Sequence, residues 1–474
     1  MGQTLFERTP WDTEWIRTAL ADSRQGAFWL HDAAGLRPEL PVLERDLDVD
    51  VAIVGGGYLG LWTALLLATE HPDARIGLVE QAEVGWAASG RNGGFCEASL
   101  THGDDNGEAR WPEEMPTLRR LGQRNLDEIR AAVAAEDIDC DLEATGVMSV
   151  AVEGHQVGWL RDWAAGDDSV EFLDRDAVRA QVHSPAYLAG AVQPDEAVML
   201  HPAKLAYGLA RAAARHGVRL YEHTPATGLD RTAGRMRVRT PLGDVHADTV
   251  VLATNAFPPL VRRLGLATVP VYDHALMTEP LTDEQRARIG WEGRQGLSDV
   301  SNQFHYYRLS ADNRILWGGY DATYHWGRGI DAAFEESPHT FARLAHNFHA
   351  VFPQLDDVRF SHRWGGVIDT CSRFCAFFDR AWDGAVLSAL GFTGLGVGAT
   401  HFAARVLIDF IDHRETERTR LRMVREKPIP FPPEPLTSIG IGWVQRSRAR
   451  ADRQQGRKDL FLHTLDRLGM GFDS

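Results

Sequence analysis

Three glycines and one acid at fixed spacing mark the first place where this sequence could do chemistry. Gly55, Gly57 and Gly60 form a Gly-x-Gly-x-x-Gly pattern, and Glu80 follows it at some distance. In such a pattern the first glycine permits a tight turn, the second lets the backbone approach a pyrophosphate, and the third lets helix and strand pack closely. The acid can accept hydrogen bonds from both ribose hydroxyls of an adenosine. The spacing predicts dinucleotide binding; an ordinary turn between strand and helix is the alternative.

The elements around these residues fit that interpretation. Val51–Val54 is a short apolar run, LWTALLLATEH has helical periodicity up to Pro72, and RIGLVE is typical of a second strand. Strand, glycine turn, helix and strand within about 30 residues make a βαβ unit, so we expect a parallel sheet. Phosphates would lie at the N-terminus of the helix, where unpaired N–H groups and the helix dipole favour negative charge.

A second loop favours FAD over NAD as the dinucleotide. The stretch GWAASGRNGGF, Gly85–Phe95, follows Glu80 closely and is rich in small residues, with Arg91 as its one fixed cation. In a simple NAD enzyme this region would be an unremarkable helix. Many backbone donors together with one cation instead indicate a second clamp on the far half of a larger cofactor.

Four motifs together resemble the D-amino acid oxidase-like FAD-dependent oxidoreductases. They are GGGYLGLWTALLLA, VEQAEVGWAASGRNGG, VVLATNAF and GFTGLGVGATHFAARVL, and they cover most of the chain, from about residue 50 to residue 412. Within this family the sequence is most similar in look to the gamma-glutamylputrescine oxidases, with glycine and sarcosine oxidases as relatives. The resemblance implies an α/β fold, in which a Rossmann-type FAD-binding domain carries a discontinuous second domain containing a mixed β-sheet.

The resemblance also assigns FAD contacts to particular residues. Glu80 would bind the adenosine ribose, and the backbone of Ala226 would read the adenine edge. A turn at Thr254 and Asn255 would pass beside the cofactor. The last helix would direct its N-terminus at the flavin pyrimidine, where its dipole stabilises the reduced anion. The predicted contacts at the pyrophosphate, along the stretch to the isoalloxazine and at the start of the last helix are Gly55, Gly57, Tyr58, Leu59, Gly60, Ser89, Arg91, Asn92, Gly93, Gly94, Gly394, Leu395, Gly396 and Val397.

The attachment of FAD is expected to be noncovalent. Sarcosine oxidase-like members of the family attach FAD through a cysteine shortly after a Gly-Gly or Gly-Ala turn. In RWGGVIDTCSRFC that position falls on Ile368, and Cys371 lies three residues further on. Attachment through Cys371 is the alternative.

The resemblance implies the reaction as well. A small amine or amino acid would pass a hydride from its amine-bearing carbon to flavin N5, and the resulting imine would hydrolyse. Dioxygen would then reoxidise the flavin, with hydrogen peroxide as product. A dehydrogenase that uses another electron acceptor and a non-catalytic flavin-binding protein are the alternatives. No catalytic base is predicted, because an amine that binds deprotonated needs none.

Substrate contacts are predicted from aromatic residues and one histidine. Tyr307, Trp364 and His305 could build an aromatic cage around a cationic amine, and His102 could hydrogen-bond the substrate. Alternating aromatic residues on a strand can equally serve to pack a core, and a loop histidine can be structural.

The predicted domains are discontinuous. The expected divisions are an N-terminal extension at 1–44, an FAD-binding domain at 45–100, 200–258 and 360–412, a substrate domain at 101–199 and 259–359, and an arginine-rich C-terminal extension at 413–474.

Composition narrows the partners and the compartment. A formal net charge of −16 argues against nucleic-acid binding, which needs basic surface. The four cysteines are too few for a disulfide framework, and none has a zinc-ligand partner at suitable spacing, so no metal is expected. The N-terminus has no apolar signal core, and the longest apolar run, Leu61–Ala68, is far shorter than a membrane span. We therefore expect a cytoplasmic protein without a membrane span.

Overall fold

The structure is a computed structural model that describes residues 2–467. A six-stranded sheet is built around the glycine pattern. All neighbouring strands in it are parallel except the last pair, which is antiparallel. Its strands in spatial order are Arg219–Tyr221, Ile76–Val79, Val51–Val54, Thr249–Leu252, Val386–Leu390 and Phe377–Ala381.

This sheet is the middle of three layers, which explains why its strands are apolar on both faces. Val51 and Ile53 pack toward the helices Tyr58–Glu70, Pro202–Arg215 and Gly396–Ile411. Their neighbours Ala52 and Val54 instead pack toward a small sheet on the other face. Strands covered on both faces give continuous apolar runs rather than alternation. The small sheet consists of Gly228–Thr232, Arg235–Arg239, Val245–Ala247 and Leu47–Asp48.

A ten-stranded mixed sheet forms the second half of the molecule. Helices Pro338–Val351 and Thr13–Leu20 pack on one of its faces, so that face is apolar. Its strands in spatial order are Arg24–Gln25, Phe360–Cys371, Thr268–Thr278, Ile315–Gly319, His305–Leu309, Gly296–Asp299, Val147–Ala151, Ala189–Gln193 and Glu171–Leu173, with Thr323–Tyr324 paired to Thr268–Thr278. A two-stranded ribbon, Phe95–Glu97 with Ala197–Met199, lies apart from these sheets.

The remaining helices surround both sheets. Among the described residues, no helix combines the length and the apolar character that are needed to cross a membrane. The other α-helices are Leu5–Arg8, Phe28–Asp32, Asp104–Arg110, Met115–Ala135, Gln156–Gly166, Arg175–Gln181, Asp283–Ile289, Glu417–Arg420, Arg422–Arg425, Leu436–Arg453 and Leu460–Arg467.

The structure corrects one predicted domain boundary. The segment 360–412 was expected to belong wholly to the FAD-binding domain. Its first strand, Phe360–Cys371, instead pairs along its whole length with Thr268–Thr278 in the ten-stranded sheet. The chain crosses from one sheet to the other only after Cys371. The other predicted divisions stay predictions.

Candidate active site

The turn at Gly55–Gly60 has the geometry that the glycine pattern predicts. Gly55 has φ +115°, and a Cβ there would overlap the carbonyl oxygen of Ala253. A Cβ on Gly60 would overlap the carbonyl oxygen of Gly55, so helix and strand touch through backbone alone. Gly57 precedes the helix Tyr58–Glu70, whose first residues Tyr58 and Leu59 line a large cavity together with Gly57. The N-terminus of a buried helix is thereby open to an anionic ligand.

Glu80 holds this turn against the loop that follows it. Its buried carboxylate accepts hydrogen bonds from the Gly56 N–H at 2.6 Å, the Ala82 N–H at 2.9 Å and the Trp86 Nε1–H at 2.9 Å. The predicted contact of Glu80 with a ribose stays a prediction, and the structure adds a second role in which Glu80 shapes the fingerprint turn.

The loop Gly85–Phe95 is fixed by its own polar side chains. Asn92 donates through Nδ2 to the carbonyls of Ala88 and Ser89, both at 3.0 Å, and accepts the Gly94 N–H at 2.9 Å. Ser89 Oγ accepts the Tyr58 N–H at 2.9 Å, so the loop lies against the helix N-terminus. Gly94 has φ +76° and does not line the cavity itself, whereas Ser89, Asn92 and Gly93 do.

Arg91 lies at the rim of this loop and is bound on three sides. It forms an ion pair with Glu335 and donates to the carbonyls of Trp86 at 2.8 Å and Gly365 at 3.3 Å. It therefore ties the loop to the strand Phe360–Cys371 while still lining the cavity.

The N-terminus of the helix Gly396–Ile411 lines the same cavity. Gly394 has φ +97°, and Gly394–Val397 all line the cavity. Asp369 positions the preceding turn by accepting the N–H groups of Gly391 and Phe392. Burial raises the pKa of Asp369 to about 7.

Of the predicted FAD contacts Asn255, Thr254 and Ala226, only Asn255 lines the cavity. Asn255 has φ +49° and lines the cavity. Thr254 and Ala226 do not line it, and Ala226 packs against the core between the six-stranded and four-stranded sheets. The roles of these three residues stay predictions.

The cavity has the size and lining that a flavin dinucleotide requires. Its volume is 1540 Å³, above the roughly 300–1,000 Å³ that suits a drug-sized ligand. It is lined by the helix N-terminus at Gly57–Leu59, by Ser89, Asn92 and Gly93, by the helix N-terminus at Gly394–Val397, and by residues of the ten-stranded sheet. Two helix N-termini and side-chain-free glycines thus face one continuous space with room for a dinucleotide and a substrate.

Two of the four predicted substrate residues line the cavity. Trp364 lines it and donates its indole N–H to the carbonyl of Arg91 at 2.9 Å. His102 lines it beside Gly394, and its Nδ1 lies 3.3 Å from the carbonyl oxygen of Phe374. Burial lowers the pKa of His102 to about 4, so this imidazole is neutral at neutral pH.

The prediction for the other two, His305 and Tyr307, is wrong, because both lie on the face of the sheet that points away from the cavity. Both are fully buried in the core under helix Pro338–Val351. His305 hydrogen-bonds Asp299 at 2.8 Å, and the Tyr307 hydroxyl lies 2.8 Å from that of Tyr187. Because side chains alternate along a strand, the residue between them faces the cavity instead. The cage of His305, Tyr307 and Trp364 therefore does not form.

Tyr306 is that residue, and neither it nor its partner Asp273 was predicted from the sequence. The Tyr306 hydroxyl donates to Asp273 Oδ2 at 2.6 Å, and both side chains line the cavity. A Cβ on Gly93 would come within 2.8 Å of the Tyr306 ring, so the pair lies directly beside the loop Gly85–Phe95. Burial raises the pKa of Asp273 to about 6.

The structure bears on how FAD can be attached. Ile368 lines the cavity, whereas Cys371 does not. Cys371 is fully buried, and its Sγ contacts the carbonyls of Cys375 at 3.2 Å and Gly391 at 3.5 Å. Burial raises the pKa of this thiol to about 12, so it remains protonated and unreactive.

The C-terminal extension forms part of the lining of the cavity. Phe431, Leu436, Val444 and Phe461 from this extension line it, as does Arg448. Hydrogen bonds from Tyr324 to Glu434 and from Asn302 to Asp452 fasten the extension to the ten-stranded half. The extension is therefore part of the wall of the site.

Comparison with known proteins identifies the family to which this chain belongs. A family model described as FAD dependent oxidoreductase (DAO) matches residues 50–410. The chain belongs to this family. Its cofactor is therefore FAD, the chain is an enzyme, and the predicted family and fold class are confirmed.

Curated relatives share most of their length with this chain. Gamma-glutamylputrescine oxidoreductase of Escherichia coli (strain K12) is 32% identical over 384 residues, which cover 78% of this chain and 85% of the relative. Glycine oxidase of Bacillus subtilis (strain 168) is 23% identical over 385 residues, covering 79% of this chain and 96% of the relative.

Solved structures show the same fold. The glycine oxidase from Geobacillus kaustophilus superimposes with a TM-score of 0.66 at 20% identity, covering 78% of this chain and 96% of that structure. The L-proline dehydrogenase from P. horikoshii gives a TM-score of 0.65 at 17% identity, covering 78% and 95%. These likenesses support the predicted fold class.

Proposed function

We propose that this FAD-dependent oxidoreductase oxidises a small amine and transfers the electrons to dioxygen. The observation that carries this proposal is the continuous cavity, which joins the FAD-binding turns to a chamber lined by Trp364, Tyr306 and several carboxylates. Aromatic faces and carboxylates attract a cationic amine rather than an anion. The names of the relatives specify gamma-glutamylputrescine, glycine and sarcosine, each of which contains an amino group.

In this proposal the chain holds FAD noncovalently through two helix N-termini and one loop. The helix starting at Tyr58 would hold the pyrophosphate, and the loop Gly85–Phe95 and the helix starting at Gly396 would hold the flavin half, because all three line the cavity. When bound, FAD supplies a hydride acceptor at N5.

The protein residues then have to orient the amine and to keep bulk water out. Trp364 and Tyr306 confine the amine-bearing carbon, because both rings line the cavity beside the loop Gly85–Phe95. The C-terminal extension contributes apolar side chains to the same lining, and these would help to exclude water. The amine loses a hydride and a proton to become an imine, and water hydrolyses the imine to an aldehyde and ammonia. In sum, R–CH₂–NH₃⁺, O₂ and H₂O give R–CHO, NH₄⁺ and H₂O₂.

The stoichiometry of a steady-state reaction in air tests this proposal. We expect one or more amines from a panel of primary amines, secondary amines and amino acids to give equal amounts of consumed O₂, H₂O₂ and carbonyl product. Carbonyl product without O₂ consumption, formed only with an artificial acceptor such as a phenazine dye, would show a dehydrogenase instead. No product with either acceptor would overturn the proposal.

A further inference from the structure

Glu97 places an unpaired carboxylate deep in the cavity. It ends the strand Phe95–Glu97, in which Phe95 and Glu97 face the cavity and Cys96 is buried on the opposite side. Its carboxylate has no hydrogen bond or ion pair to any residue in the range 2–467. Burial raises its pKa to about 7. A buried carboxylate without a partner costs free energy when it is ionised, unless a ligand supplies a hydrogen bond or an opposite charge.

Glu196 supplies a second carboxylate beside the first. Glu97 pairs with Ala197 across the two-stranded ribbon, so Glu196 lies next to it and also lines the cavity. Its carboxylate accepts the Ser99 N–H and forms no other hydrogen bond with residues 2–467. Burial, reinforced by the charges of Glu97 and Asp104, raises the pKa of Glu196 to about 8.

Arg119 does not form an ion pair with either carboxylate. Arg119, which also lines the cavity, forms ion pairs with Asp104 at 2.9 Å and Glu108 at 2.7 Å. Lysine and arginine side chains are outnumbered by carboxylates among the lining residues of the cavity as a whole. A cation entering the cavity would favour the ionised forms of Glu97 and Glu196 and would therefore be attracted to this position.

This position lies close to the predicted flavin end of the site. A Cβ on Gly398, in the first turn of the helix Gly396–Ile411, would overlap the carbonyl oxygen of Glu97. The same helix lines the cavity through Gly396 and Val397. An extended substrate with its reacting carbon beside this helix N-terminus would have its far end within reach of Glu97 and Glu196.

We propose that Glu97 and Glu196 bind a second cationic group of the substrate, so that the enzyme selects amines carrying a distant ammonium group. This inference rests on the proposed amine oxidation and names its substrate class. A monoamine leaves the two carboxylates without a partner, and the carboxylate of an amino acid would be repelled by them. A diamine places one nitrogen at the reacting carbon and the other between Glu97 and Glu196.

Matched substrates and matched variants test this inference on the FAD-loaded enzyme. The rate of flavin reduction at low substrate concentration is measured anaerobically with short α,ω-diamines and with monoamines of the same chain length. We expect the wild type to prefer the diamine by at least about tenfold, the scale of one charge-assisted hydrogen bond. We expect Glu97→Gln and Glu196→Gln to lose most of that preference and Glu97→Asp to retain part of it. Glu284→Gln, an exposed glutamate outside the cavity, should keep the wild-type ratio.

A binding measurement separates this inference from the proposed function. Calorimetry with the flavin reduced beforehand by dithionite records diamine binding without turnover. Diamine binding that Glu97→Gln weakens about tenfold supports the cation site even if no amine reduces the flavin, in which case only amine oxidation fails. If amines reduce the flavin but the wild type shows no preference for diamines, or if Glu97→Gln and Glu196→Gln keep the full preference, the cation site is overturned. FAD content is measured on each variant to identify any that has lost the cofactor. If Glu97→Gln has lost FAD, the diamine preference of Glu97→Asp is measured in its place and should be lower than that of the wild type.

Discussion

Replacing Glu80 with Gln perturbs the single carboxylate that joins the fingerprint turn to the next loop. One oxygen accepts the Gly56 N–H at 2.6 Å, and the other accepts the Ala82 N–H and the Trp86 Nε1–H, both at 2.9 Å. A glutamine offers one oxygen and one NH₂ group. Whichever way the amide turns, at least one buried N–H then faces another donor.

The size of the effect follows from that unpaired donor. A buried donor without an acceptor costs about 1–3 kcal/mol. We expect the unfolding free energy of the apoprotein to fall by about 2 kcal/mol, and the displaced turn to raise the Kd for FAD by roughly thirtyfold, since 1.4 kcal/mol is a factor of ten. Urea unfolding followed by tryptophan fluorescence and titration with FAD measure the two quantities.

Glu83→Gln is the matched control for this experiment. Glu83 lies on the same loop but pairs with Arg37 in an exposed ion pair, which is worth only about 0–1 kcal/mol. It should therefore keep nearly wild-type stability and FAD affinity. Wild-type values for Glu80→Gln in both assays would refute the role assigned to this carboxylate.

Three further predictions concern attachment, the phosphate site and pH. Denaturation should release all FAD into the supernatant, because Cys371 is buried outside the cavity; colour that stays with the precipitated chain would contradict this. Gly57→Val should abolish FAD loading, since even its Cβ would lie 3.0 Å from Ser89 Oγ; normal FAD content in this variant would place the pyrophosphate elsewhere. Burial raises the pKa of Glu97 to about 7, above the roughly 4.3 of a glutamate in an unfolded chain. The folded state therefore holds this proton more tightly than the unfolded state does. The resulting contribution to stability is present at acid pH and is lost as the pH rises through about 7. Urea midpoints of the wild-type apoprotein should therefore fall relative to Glu97→Gln between about pH 5 and about pH 8, and parallel pH curves would contradict the raised pKa.

The fingerprint could be predicted from sequence because its constraints are local. Gly55 and Gly60 are required by backbone contacts within the turn and with the adjoining strand, and the spacing to Glu80 is set by one βαβ unit. The family motifs similarly report short stretches whose backbone must lie close to a cofactor. Such signals do not depend on how distant segments pack.

The substrate side could not be predicted, because it depends on which face of each strand is covered. The sequence HYYRL gives no sign of whether its odd or its even residues are buried by helix Pro338–Val351. His305 and Tyr307 were predicted to contact the substrate, but they are buried, and Tyr306 between them lines the cavity. The ion pair of Arg91 with Glu335 joins segments far apart in sequence. Glu97 ends a very short strand, and its unpaired carboxylate becomes visible only when the cavity around it is known.

Anaerobic mixing of the FAD-loaded wild-type enzyme with the amine panel tests the central claim most directly. Reduction of the flavin abolishes its yellow absorbance, so the measurement records electron transfer from substrate without any assumption about the electron acceptor. The proposed function predicts complete bleaching by at least one amine at a rate that saturates with amine concentration, and return of the colour when air is admitted. A flavin that stays oxidised with every amine and amino acid, in an enzyme with full FAD content that dithionite does reduce, would contradict it.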